Sequence, residues 1–112
     1  MTIGRVVKAA MAAVLVAAGA ATVSAQGLEG LHDKVRHGNK LCFSDHFHFG
    51  NSSGAKSRKD AQNEAIKSWE SFTGWEYGAA WGSFRLAEGR GIKCEQSGGS
   101  WGCSVQARAC RR

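Results

Sequence analysis

The chain has 112 residues, with 15 lysines and arginines against nine aspartates and glutamates, a formal net charge of +6, four cysteines and no proline. This length suits one small domain, and no internal repeat or low-complexity tract is present. Neither a CxxC pair nor a zinc-knuckle spacing occurs, and no GxSxG elbow is found, which argues against a structural zinc module and a nucleophilic hydrolase.

Residues 1–25 read as a secretory signal peptide. Arg5 and Lys8 precede a small, apolar stretch from Ala9 to Val23, and Val23-Ser24-Ala25 supplies the small residues that signal peptidase accepts. The stretch is too short and too rich in alanine for a membrane anchor, which needs about 20 strongly apolar residues. Cleavage leaves 87 residues beginning at Gln26, with thirteen basic and nine acidic side chains and a net charge of +4. All four cysteines lie beyond the cleavage site, and an even count in a short exported chain reads as a disulfide framework. The expected location is therefore periplasmic or extracellular.

Residues 26–40 are polar and punctuated by glycine, and are expected to form a loose lead-in or one short helix with little function. The single domain is expected over residues 41–112. From Leu41 to Phe49 the apolar residues alternate, which predicts a strand. Leu41, Phe43, Phe47 and Phe49 would face the core, and Cys42, Ser44, His46 and His48 would face water. A glycine- and serine-rich loop follows at 50–54.

Ser57-Arg58-Lys59-Asp60 fits a capping box and predicts the start of a helix. Ala61, Ala65, Trp69 and Phe72 would form its apolar side, and Gly74 or Gly78 would end it. Ala79 to Gly91 is ambiguous between helix and strand, because aromatic residues recur at helical spacing among glycines that weaken a helix; a strand is the preferred reading.

Gly98-Gly99 between two alternating runs predicts a hairpin with a two-residue type I′ turn. Its register pairs Ser97 with Ser100, Gln96 with Trp101, Cys94 with Cys103, and Ile92 with Val105. Cys94 and Cys103 then form a non-hydrogen-bonded pair about 4.5 Å apart, within reach of a bridge. Cys42 and Cys110 remain, both with the parity of the wet face, and can join if the first and last strands are neighbours. The expected fold is thus α+β: one amphipathic helix on a small antiparallel sheet that ends in a C-terminal hairpin, stabilised by disulfides.

The pattern Trp69…Phe72…Tyr77-Gly78, Trp81…Phe84…Ala87, Cys94, Trp101-Gly102-Cys103 and Ala109-Cys110-Arg111 resembles a group of small exported proteins of alphaproteobacteria. The likeness covers about the last half of the chain. It implies an envelope location and carries over no activity and no catalytic residue. Ser57 to Ala65 is also similar to the start of the last helix of double-stranded RNA-binding domains, where basic residues contact phosphates. Only 31 residues of the expected mature chain precede Ser57, too few for the helix and three strands that family places there. Export and disulfides further argue against nucleic acid as a partner.

Three functional readings follow. A non-enzymatic binding or structural module of the envelope would use Lys93, Arg108, Arg111 and Arg112 to associate weakly with anionic lipid or polysaccharide. A periplasmic metal-binding protein would use His46 and His48, whose side chains project from one side of a strand. An inhibitor-like exported protein is the third. No catalytic residue and no organic cofactor is implied, and the aromatic content allows an exposed platform for sugar or peptide.

Overall fold

In the computed structural model, which describes residues 25–112, Ser57 is extended and its hydroxyl accepts a hydrogen bond from the Asp60 amide at 3.0 Å. That cap opens the helix α1, Arg58–Tyr77, which Gly78 ends. Ala61, Ala65, Trp69, Thr73 and Tyr77 are its buried residues, one every four positions. Phe72, expected on this face, is instead half-exposed, because a stripe stepping by four passes through Thr73.

Four strands make the sheet on which α1 packs: β1, Lys34–His37; β2, Lys40–Asn51; β3, Glu88–Ser97; and β4, Ser100–Arg111. Their order is β1-β2-β4-β3, and every neighbouring pair is antiparallel. The chain forms the β1-β2 hairpin, crosses the sheet as α1, and returns as a second hairpin whose β4 inserts beside β2. The lead-in therefore joins the domain: β1 edges the sheet, preceded by a 3-10 turn at Ala25–Leu31. The expected signal peptide, apart from Ala25, lies outside the described residues. Among the described residues, no helix is long and apolar enough to cross a membrane.

The second hairpin has the expected register, including Cys94 opposite Cys103, with Gly98 and Gly99 both at positive φ as a tight two-residue turn requires. Both bridges form as parity predicts, Cys94–Cys103 within this hairpin and Cys42–Cys110 between β2 and β4. Cys103, Val105, Ala107 and Ala109 alternate along β4 towards α1. Cys42 and Cys110 lie outside that core cluster yet are fully buried, so this part of the far face is not wet.

β2 departs from simple alternation. Cys42 stands opposite Cys110 and Phe47 opposite Arg108, so β2 advances five residues while β4 advances two. An odd number of extra residues in a bulge reverses which side chains face the core. Before the bulge Phe43 points at α1 and is fully buried; after it His48 and Gly50 do so, and Phe49 is 58 % exposed. The expectation that Phe47 and Phe49 face the core and His48 faces water is thus inverted.

The segment expected as a strand over 79–91 is two 3-10 turns, Ala79–Trp81 and Phe84–Leu86, with β3 beginning only at Glu88. Tertiary packing decides this: Trp81 stacks on Phe43 with ring centroids 4.9 Å apart, and the Glu70 carboxylate accepts from the Phe84 amide at 3.0 Å.

Candidate metal centre

The β2 bulge and the last turn of α1 meet at the end of the sheet where β1 no longer covers β2. β1 pairs with residues 40–43 alone, so β2 beyond the bulge has a free edge there. The bulge places His46 and His48 on the α1 side, their rings 5.1 Å apart. Glu76 arrives from α1, and its Oε1 lies 3.0 Å from His48 Nε2. The ligand atoms of His46, His48 and Glu76 all lie within 4.8 Å of one another.

Each side chain is held by the fold. His48 is 4 % exposed, and its backbone carbonyl accepts from the buried Trp69 Nε1 at 3.0 Å, which ties this stretch of β2 to the middle of α1. Its ring packs against Tyr77, with centroids 4.7 Å apart, and against Phe72. His46 stacks on His32 at 4.1 Å. The lead-in, expected to carry little function, thus supplies a ring that packs on a candidate ligand.

The electrostatics favour a cation. Burial holds the His48 imidazolium below its ordinary pKa, outweighing the Glu76 carboxylate that opposes the shift, and so favours the neutral ring, the form that binds metal. Glu76 is the penultimate residue of α1, and no basic residue occupies that last turn. A carboxylate at the negative end of a helix is disfavoured by about 0.3–1 kcal/mol, whereas a cation there is favoured. His48 Nδ1 and the Tyr77 hydroxyl are buried without hydrogen-bond partners.

Two imidazoles and a carboxylate form a donor set suited to zinc and neighbouring divalent ions. Tetrahedral coordination at about 2.1 Å sets donor atoms about 3.4 Å apart. The His48–Glu76 pair would open slightly and the wider pairs would close by side-chain torsion, which the partial exposure of His46 and Glu76 permits. The sequence pointed to His46 and His48 as a pair but not to Glu76 or His32. A carboxylate in the last helical turn was the one local sign for Glu76, and His32 carried none.

The four basic residues expected to bind anions do not converge. Lys93 and Arg108 lie on the face of the sheet away from α1, four residues apart in register, roughly 13 Å. Arg108 is half-buried, its guanidinium 5.4 Å from the Phe47 ring centroid, so it is less mobile than a free surface arginine. Arg111 reaches the other side, over Trp81 at 5.9 Å, and Arg112 is exposed beyond β4. Broader clefts of about 340 and 490 Å³ border β3 and β4, but serine, glycine and glutamine dominate their polar lining, with Lys93 and Glu95 as their titratable groups.

Comparison with protein-family models, curated proteins and solved structures returns no match. The site is therefore read from its own geometry.

Proposed function

We propose that this chain is an exported metal-binding protein, with His46, His48 and Glu76 holding one divalent ion. The observation that carries this reading is the convergence of the three donors from two elements at the negative end of α1. Export is supported by the signal-like residues 1–25 and by two disulfides that use all four cysteines, as expected outside the reducing cytosol. The separation of Lys93, Arg108, Arg111 and Arg112 over both faces gives less support to association with anionic lipid or polysaccharide.

Isothermal titration of the disulfide-bonded protein with zinc and copper(II) tests the proposal. One equivalent is expected to bind, with copper the tighter in the usual order for nitrogen and oxygen donors. Glu76→Gln should weaken zinc at least tenfold, and His46→Ala with His48→Ala should abolish specific binding while the far-ultraviolet spectrum is retained. Stoichiometric binding that survives all three substitutions would refute the site.

A further inference from the structure

Among the described residues, just three donors converge at the candidate centre, and a tetrahedral ion has four positions. In structural zinc sites the protein fills all four; with three protein ligands, the fourth is left for water or an exogenous ligand. What surrounds the three donors is an open cleft of about 310 Å³ lined by His46, Phe47, His48, Phe49, Phe72 and Glu76. On the α1 side its apolar wall is Phe72, which packs on His48 yet is 48 % exposed, although a short chain with little aliphatic content has reason to bury such a ring. Tyr77 adds a buried donor beside Glu76. It is 2 % exposed, its ring packs 4.7 Å from His48 and 6.4 Å from His46, and its hydroxyl lies near the Glu76 carboxylate without a close hydrogen bond to it. A buried donor without a partner carries a cost that a ligand oxygen beside it would remove.

We propose that the ion held by His46, His48 and Glu76 keeps its fourth position open to this cleft and takes there a small oxyanion bearing an aromatic group, an aryl carboxylate or hydroxamate. Bound water leaves as the ligand oxygen reaches the metal, the Tyr77 hydroxyl donates to that oxygen, and the aryl group rests on Phe72. The inference depends on the metal-binding reading and goes beyond it by naming what the bound ion recognises. His32 is the rival for the fourth position, because its ring is stacked on His46 although its nitrogens lie outside the cluster of donors.

The test loads the full disulfide-bonded protein with cobalt(II), whose visible bands report coordination, and titrates it with benzohydroxamate and acetohydroxamate. Benzohydroxamate is expected to shift the bands with a single saturable transition and to bind at least tenfold tighter than acetohydroxamate. Phe72→Leu, which keeps an apolar side chain against His48 but removes the ring, should reduce that preference at least threefold while cobalt and acetohydroxamate still bind. If the cobalt bands form but neither hydroxamate moves them, the open position is disproved and the metal-binding reading stands. If they move only in His32→Phe, the fourth position belongs to His32 and the proposal falls. Equal affinity for the two probes in the parent would remove the aromatic subsite. Absence of any cobalt band would overturn the metal-binding reading itself.

Discussion

Replacing Gly50 by alanine would put a Cβ 2.3 Å from the Ala65 carbonyl oxygen and 2.5 Å from the Trp69 amide nitrogen, both of them backbone atoms of α1. Neither can rotate aside, so the helix would have to lift off β2. We expect Gly50→Ala to destabilise the fold by about 2–3 kcal/mol, the upper part of the usual range for overpacking, as measured by urea unfolding. Because His48 lies on the same stretch of β2, zinc affinity should fall as well. Glu88 gives an acid-side prediction. A hydrogen bond from Lys40, then the charge of that ammonium, holds its carboxyl below the ordinary 4.5. A carboxyl lowered on folding contributes stability above its unfolded pKa and loses it as pH falls through the folded value. The melting temperature of Glu88→Gln should therefore lie slightly below that of the parent at pH 7 and coincide with it at pH 3. The half-exposed position and salt screening keep the difference small.

Within the elements, the two bridges differ mainly in the length of chain they close. Cys42–Cys110 spans 68 residues and Cys94–Cys103 spans nine. Loop-closure entropy then assigns about 4 kcal/mol to the first and about 3 kcal/mol to the second. Paired serine substitutions should reproduce that order in urea unfolding, with Cys42→Ser/Cys110→Ser the more damaging. The second hairpin already brings its ends together through the Gly98-Gly99 turn and its ladder, so its bridge mainly locks an existing register. At the start of α1, Ser57→Ala removes the acceptor for the Asp60 amide and should cost about 1 kcal/mol, with no effect on metal affinity because the site lies at the opposite end of the helix.

For the molecule as a whole, an ion that binds the folded chain alone adds stability by mass action. Free zinc at a hundredfold excess over its dissociation constant should stabilise the parent by about 2.7 kcal/mol. Glu76→Gln should lose at least about half of that gain at the same zinc concentration while leaving the metal-free melting temperature nearly unchanged. Thermal unfolding with and without zinc, on both proteins, measures the coupling. Compartment is checked separately, since N-terminal sequencing of the protein recovered from the envelope should begin at Gln26.

Features set by neighbouring residues were legible in the sequence. The Ser57 cap, the Gly98-Gly99 turn and the alternation of β4 each depend on a short run of chain, and the hairpin register with the Cys94–Cys103 pair follows from counting outward from the turn. The Cys42–Cys110 bridge was legible too, because both anchors carry the same parity relative to their strands and no other cysteines remained. The candidate site was half legible, with His46 and His48 recognisable as a pair but assigned to the wrong face. That face depends on the β2 bulge, which exists because Cys42 must meet Cys110 while Phe47 meets Arg108, a constraint imposed by residues some sixty positions away. The same long-range packing turns residues 79–86 into two tight turns instead of a strand, since Trp81 fills the space over Phe43. It also brings Glu76 and His32 to the histidines from segments on either side of them in the chain. Periodicity records which residues alternate, whereas the face that becomes the interior is decided only when α1 docks on the sheet.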